Sequence, residues 1–170
     1  MDYKLYDSYF AAMQIENQKD SDVIISETNI KEDSLQLFVS PFSQFDSPIR
    51  LINNKKYYKN GYKILLINNS EEDYNLFNRD GKIMIHRQVF YKNEWRDVKS
   101  YKKTMQFYCG NSFMRQKIIY SKNHFTFIAS CLEGDSKVKF RFMIVLKDGA
   151  EYIPVYSNEF DAYINEALIE

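Results

Sequence analysis

From Asp33 onward, apolar and polar residues alternate in short runs separated by turn-forming residues. A side-chain period of two marks a β-strand with one buried face. The run KVKFRFMIVL (137–146) shows it most clearly. Val138, Phe140, Phe142, Ile144 and Leu146 fall on one face, and Lys137, Lys139 and Arg141 on the other. SLQLFVSPF (34–42) alternates Leu35, Leu37 and Val39 against Gln36 and Phe38, and Pro41 is expected to end it. SPIRLINNKKYY (47–58) is a weaker strand that runs toward Asn60-Gly61. Asn-Gly tolerates positive φ and predicts a hairpin turn there. YKILLINN (62–69) is apolar on both faces, which suits a central strand.

The same pattern continues to the C-terminus. After a turn at Asn78–Gly81, KIMIHRQVFY (82–91) reads as one long strand. Lys92-Asn93-Glu94 turns the chain and WRDVKSY (95–101) returns it. In TMQFYC (104–109), Met105, Phe107 and Cys109 share a face, so Cys109 is expected in the core rather than on a nucleophile turn. RQKIIYS (115–121) and HFTFIAS (124–130) follow. Lys147-Asp148-Gly149 is a turn, and Pro154 places EYIPVYSNEF (151–160) at an edge or a bulge. DAYINEALIE (161–170) has room for one helical turn. The sum is about eight to ten short strands with no βαβ unit, the pattern of an all-β antiparallel sandwich. We assign the sandwich to residues 31–165 and a C-terminal tail to 166–170. Residues 1–30 form a poorly defined N-terminal extension, an arm or a short helix, since Ser8–Gln18 suits either a helix or a strand.

Composition agrees with a folded domain. A chain of 170 residues, 45% hydrophobic and 16% aromatic, can bury a core without disulfides or metal. The aromatic load is 14 Tyr and 13 Phe against one Trp, which favours half-buried pleated surfaces. Lys plus Arg equals Asp plus Glu at 23 each, so no net charge directs the chain to nucleic acid. NKKYYKNGYK (54–63) interleaves lysines with Tyr57 and Tyr58, but no stacking module accompanies it, and a solvated hairpin is expected. The N-terminus lacks a basic, apolar signal pattern, and no segment is apolar for long enough to be a transmembrane helix. That leaves two expectations for the compartment: cytoplasmic if Met1 is the native start, and secreted or surface-attached if the chain is trimmed.

Five segments in order, NNSEEDYNLFNRDGK, YKNEWRDV, YCGNSF, KFRFMIVLKDG and VYSNEF, span roughly residues 60 to 165. Through them the chain resembles a group of bacterial immunoglobulin-like β-sandwich proteins. More distantly it is similar to the intracellular proteinase inhibitor type of sandwich. The resemblance implies an immunoglobulin-like fold, a secreted or surface-attached setting, and no known reaction.

Candidate chemistry is thin. The two cysteines, Cys109 and Cys131, make no disulfide framework and no zinc spacing; one bridge is geometrically open if their strands are neighbours, and free, buried thiols are the expectation. A Cys131–His124 pair across a bend is the one arrangement near a nucleophile and base, and no third group is indicated to orient it. His86 and His124 have no metal-ligand spacing. Glu71, Glu72, Asp73 and Asp80 match no calcium loop and read as solvated turn acids. Glycines stand singly, so no phosphate-binding loop exists. We therefore expect no catalytic residue, no metal and no cofactor. The expected role is a non-catalytic binding or protein-interaction module, with a protein or glycan as partner. A protease-inhibitor-like or carbohydrate-binding protein is the alternative. The loops at Asn68–Asp73, Asn78–Gly81, Lys92–Trp95 and Gly110–Phe113 are candidate contacts. Trp95, Tyr57, Tyr58, Asn93 and Asn111 are the candidate binding residues, Trp95 foremost as an anchor at a turn, and the edge strand near Pro154 is a second surface.

Overall fold

In the computed structural model the described residues are 13–14, 30–52, 55–76, 78–79, 82–83, 85–98, 117–132, 134–148 and 150–169; for 41–52 and 55–61 the description is of backbone pairing. The strands are β1 (Met13–Gln14), β2 (Leu35–Ile52), β3 (Lys55–Asn68), β4 (Tyr74–Leu76), β5 (Asn78–Arg79), β6 (Lys82–Ile83), β7 (Ile85–Tyr91), β8 (Glu94–Asp97), β9 (Lys117–Ile119), β10 (Asn123–Ser130), β11 (Ser136–Asp148), β12 (Glu151–Tyr156) and β13 (Phe160–Ile164). A 3-10 turn, Glu166–Leu168, follows them, capped by the Asn165 side chain.

All pairings are antiparallel. One sheet runs β1-β10-β3-β2. The other runs β8-β7-β11-β4-β9, with β12 and β13 both on β11, and β5 pairs with β6 apart from both. The two large sheets pack face to face, as the inward apolar rows require. Leu37, Val39, Ile64, Leu66, Phe127 and Ala129 from the four-stranded sheet meet Ile85, Val89, Phe140, Phe142, Ile144 and Leu146 from the seven-stranded one. Rings of Tyr62, Phe140, Phe142 and Phe160 touch at centroid distances of 4.9 to 6.0 Å. Each fully buried Phe contributes about 1.5–3 kcal/mol through burial alone.

β11 alternates as its sequence implies, with Phe140, Phe142, Ile144 and Leu146 buried and Lys137 and Lys139 exposed. β3 is buried on both faces from Lys63 to Asn68, as a strand between β10 and β2 should be. Two expected breaks are absent. β2 continues through Pro41 and Pro48, and β3 continues through Asn60-Gly61. Among the described residues β2 is an edge strand, where a missing N–H is tolerated, and its register shifts between Ser40 and Gln44 and again between Pro48 and Arg50 absorb the prolines. Gly61 pairs with Phe45 on one side and Ser130 on the other, and the hairpin closes instead between Ile52 and Lys55. Asn-Gly permits a turn without demanding one. Within the expected strand at 82–91 the described residues form β6, Lys82–Ile83, and β7, Ile85–Tyr91; residue 84 lies outside the described residues. Met13 and Gln14 pair with Ile128 and Phe127. The expected strand at 104–109, with Cys109, lies outside the described residues.

Two polar devices join the sheets. Asn68, fully buried, sits where β3 leaves one sheet for β4 of the other. Its Nδ2 donates to the carbonyls of Glu72 (2.6 Å), Tyr120 (3.0 Å) and Ile119 (3.4 Å), and its Oδ1 accepts from the Ser70 N–H and hydroxyl. That ties the β3–β4 crossover to the β9–β10 crossover beside it. At the other edge, Ser157 and Asn158 interrupt β12 and β13. The Phe142 N–H donates to Ser157 Oγ, and the Ser157 N–H donates to the Phe142 carbonyl, both at 2.9 Å. Asn158 then reaches the opposite sheet. Its Oδ1 accepts from the Val39 N–H (2.7 Å) and its Nδ2 donates to the Val39 carbonyl (3.0 Å).

Candidate binding face

The outward side of the seven-stranded sheet carries the most distinctive group of side chains. β7 and β8 form a tight hairpin in which Tyr91 pairs with Glu94 across Lys92 and Asn93. Both turn residues have positive φ, 50° and 64°, the geometry whose twist matches paired strands. The hairpin sets Trp95 opposite Phe90 and Asp97 opposite Gln88. Gln88 in turn faces Arg141 on β11, and Met143 faces both His86 on β7 and Tyr156 on β12. Residues opposite one another on one face stand close enough for long side chains to reach the next strand diagonally.

Arg141 reaches Tyr156 on the adjacent β12 and, across Gln88 of β7, Trp95 on β8. Its guanidinium carbon lies 4.0 Å from the centroid of the Trp95 ring and 3.9 Å from that of Tyr156. Each cation–ring contact is worth about 0.5–2 kcal/mol, depending on how far water is excluded. Arg141 Nε donates to Gln88 Oε1 at 2.9 Å, and Gln88 Nε2 donates to Asp97 Oδ1 at 2.9 Å. The Asp97 carboxylate thus orients the Gln88 amide, which orients the arginine. His86 Nδ1 lies 3.9 Å from Asp97 Oδ2. Phe90, 41% exposed, packs 5.5 Å from the Trp95 ring, and Tyr156 is 44% exposed. Tyr152, on the same edge strand as Tyr156, is also exposed.

Farther along the outer side of β11, two lysines share one carboxylate. Lys137 and Lys139 both contact Asp161, at 2.9 and 2.8 Å. These bonds lower the Asp161 pKa, and the hydrogen bond to Asp161 raises that of Lys137. On the opposite side of β8, Arg96 pairs with Glu94.

The residues expected to bind divide among three places. Trp95 lies in β8 just past the turn, and it stands on the outer face rather than folding into the core. Asn93 is exposed in the turn of the same hairpin. Tyr57 and Tyr58 pair through their backbones with Arg50 and Pro48 on the other sheet. Asn111 and the loop Gly110–Phe113 lie outside the described residues. Arg141, Gln88, Phe90 and Tyr156 were not foreseen as site residues, although alternation already turned Arg141 outward. Only strand register brings them beside Trp95. The Asn68–Asp73 loop, another expected contact, uses much of its polar capacity internally.

Elsewhere, His124 and Cys131 lie at opposite ends of β10, roughly 20 Å apart along an extended strand, so they form no pair. Cys131 instead meets the Tyr62 hydroxyl, which burial, then Cys131 itself, pushes above the ordinary tyrosine range, while Arg87 acts in the opposite sense. Arg87 is buried, 5% exposed, on the inward side of β7. Among the described residues no group of three or more His, Cys, Asp or Glu is placed to hold a metal ion. Comparisons with family models, curated proteins and solved structures found no match.

Proposed function

We propose that this chain is an immunoglobulin-like sandwich that serves as a non-catalytic interaction module, binding a partner protein through the outer face of its seven-stranded sheet. The observation that carries the reading is the Trp95–Arg141–Tyr156 stack with Phe90 beside it. Trp, Tyr and Arg supply most of the anchors that dominate protein interfaces. Here they are contiguous, partly exposed and held on strands rather than on loops, so little side-chain freedom is lost on binding. A sugar-stacking role is less favoured, because Arg141 already covers a face of both rings.

Affinity capture from native lysate tests the reading with the full chain, a Phe90→Ser variant and a Tyr120→Ser control. Tyr120 is also exposed but lies at the β9–β10 crossover, away from the face. The expected result is a captured protein that Tyr120→Ser retains and Phe90→Ser loses, with all three chains melting cooperatively. Capture unaffected by Phe90→Ser, or no capture at all, would overturn the proposal.

A further inference from the structure

The Arg141 side chain has an unusual division of labour. Its guanidinium carbon lies over two rings, those of Trp95 and Tyr156, and its Nε is committed to Gln88. Among the described residues, nothing accepts a hydrogen bond from its two terminal nitrogens, and no carboxylate pairs with it. The neighbouring lysines of β11 have such a partner in Asp161. Two ring contacts and the Nε bond restrain the guanidinium, and its terminal N–H groups form a preorganised fork. That fork fits the two oxygens of a carboxylate.

We infer that Arg141 is the anion-reading group of this face and takes one carboxylate of a partner peptide, from an Asp or Glu beside an aromatic or aliphatic residue. The inference rests on the interaction-module reading and names its ligand chemistry. The apolar neighbour follows from Phe90 and Tyr156, whose partly exposed rings flank the fork. A single carboxylate is favoured over a chain of phosphates by the surroundings. Asp97 lies on one side of Arg141 through Gln88, and Asp161, on β13, lies beside Lys137 and Lys139 of β11. Asp161 is offset by its two lysines, so Asp97, bonded to the neutral Gln88, is the acid whose charge opposes a second anionic group beside the fork. The chain as a whole has no net positive charge to offset that repulsion. Preorganisation supplies the affinity: the rotamer freedom an exposed arginine normally loses on binding is already lost in the free protein.

Two readouts test it. A displayed library of random peptides is selected on the full chain and on Arg141→Gln. One selected acidic peptide and its Glu→Gln or Asp→Asn counterpart are then titrated against the fluorescence of Trp95, the only tryptophan in the chain. The expected outcome is enrichment of an acidic residue next to an apolar one, lost on the Arg141→Gln bait. The acidic peptide should bind about 10- to 100-fold more tightly than its amide, the range for a charge-assisted hydrogen bond. Arg141→Lys, which keeps the charge and loses the fork, should forfeit most of that preference while preserving the fold. Peptides enriched without acidic preference, or equal binding of acid and amide, overturn the inference and leave the interaction-module reading standing. Inorganic phosphate matching the acidic peptide in the fluorescence titration also overturns it, since the fork would then read any oxyanion. No enrichment over a bait-free control removes both.

Discussion

Asn158 performs for β2 the work of a neighbouring strand. It accepts from the Val39 N–H and donates to the Val39 carbonyl, so one side chain occupies both edge groups of a residue on the opposite sheet. Replacing it with alanine removes both bonds. Asn158 is exposed, so water can reach the vacated groups, and the cost should follow the net value of a protein hydrogen bond rather than a full desolvation penalty. Two such bonds give about 2 kcal/mol. For a chain of this size a loss of that order lowers Tm by about 4–8 °C. Thermal melting by far-UV circular dichroism measures the global effect, and amide exchange at Val39 measures the local one. Asn158→Asp separates hydrogen bonding from bulk. Its carboxylate still accepts from the N–H but faces the Val39 carbonyl with another acceptor, so at neutral pH it should melt no higher than the alanine variant. Protonation restores a donor. The folded-state pKa of this aspartate is therefore raised, and stability relative to alanine should recover below its ordinary range of about 4. An alanine variant that melts within about 1 °C of wild type, with Val39 exchange unchanged, would refute the account of the clamp.

Gly134→Ala should destabilise by about 1–3 kcal/mol or more, because an added Cβ has backbone on top of it. It would collide with the Ile164 carbonyl carbon and the Asn165 nitrogen, so the end of β13 must move; an unchanged urea midpoint would contradict this. Tyr62→Phe addresses the alkaline limb. Because burial raises the folded-state pKa, the contribution of Tyr62 is fully present below its unfolded value of about 10 and is lost as pH rises through the folded value. Removing the hydroxyl should flatten the fall in stability above about pH 10, read as the difference between variant and wild-type urea midpoints; parallel curves would exclude Tyr62 as a source of it.

What could be read from the chain alone follows the range of the interactions. The phase of β11 depends on residues two apart, and the both-faced burial of β3 on a continuous apolar run, so both were visible. The turn at Lys92–Asn93 was visible for the same reason. The failures come where a neighbour overrides local preference. Pro41 ends a strand only if its missing N–H matters, and at the edge of a sheet with a register shift it does not. Asn60 pairs with Asp46 of β2, and Gly61 with Phe45 of β2 and Ser130 of β10, which holds the dipeptide extended. The binding face was half legible. Trp95 stood out by its type and Arg141 by its outward phase, but their meeting needs β7 and β11 in one register across 53 residues between Gln88 and Arg141. The Asn158 clamp spans 119 residues and carries no local mark at all.

These long-range contacts explain why the face can be stiff without being buried. The residues that turn Gln88 and Arg141 outward alternate with Val89, Phe140 and Phe142, which are almost wholly enclosed between the sheets. Close-packed interiors allow little side-chain displacement, and in a strand that constraint passes directly to the next residue along. The Ser157 bulge adds a second constraint at Phe142, beside Arg141, and Asn158 anchors the same bulge to the other sheet. Tyr156 immediately precedes that bulge, so the ring on one side of the arginine is held by the device that joins the sheets. Loosening the clamp should therefore slacken the stack before it unfolds the chain. In Asn158→Ala, Trp95 emission should shift toward that of a more solvated indole at temperatures well below the melt. Emission superimposable on wild type until global unfolding would show that the stack holds itself together and owes nothing to the join between the sheets.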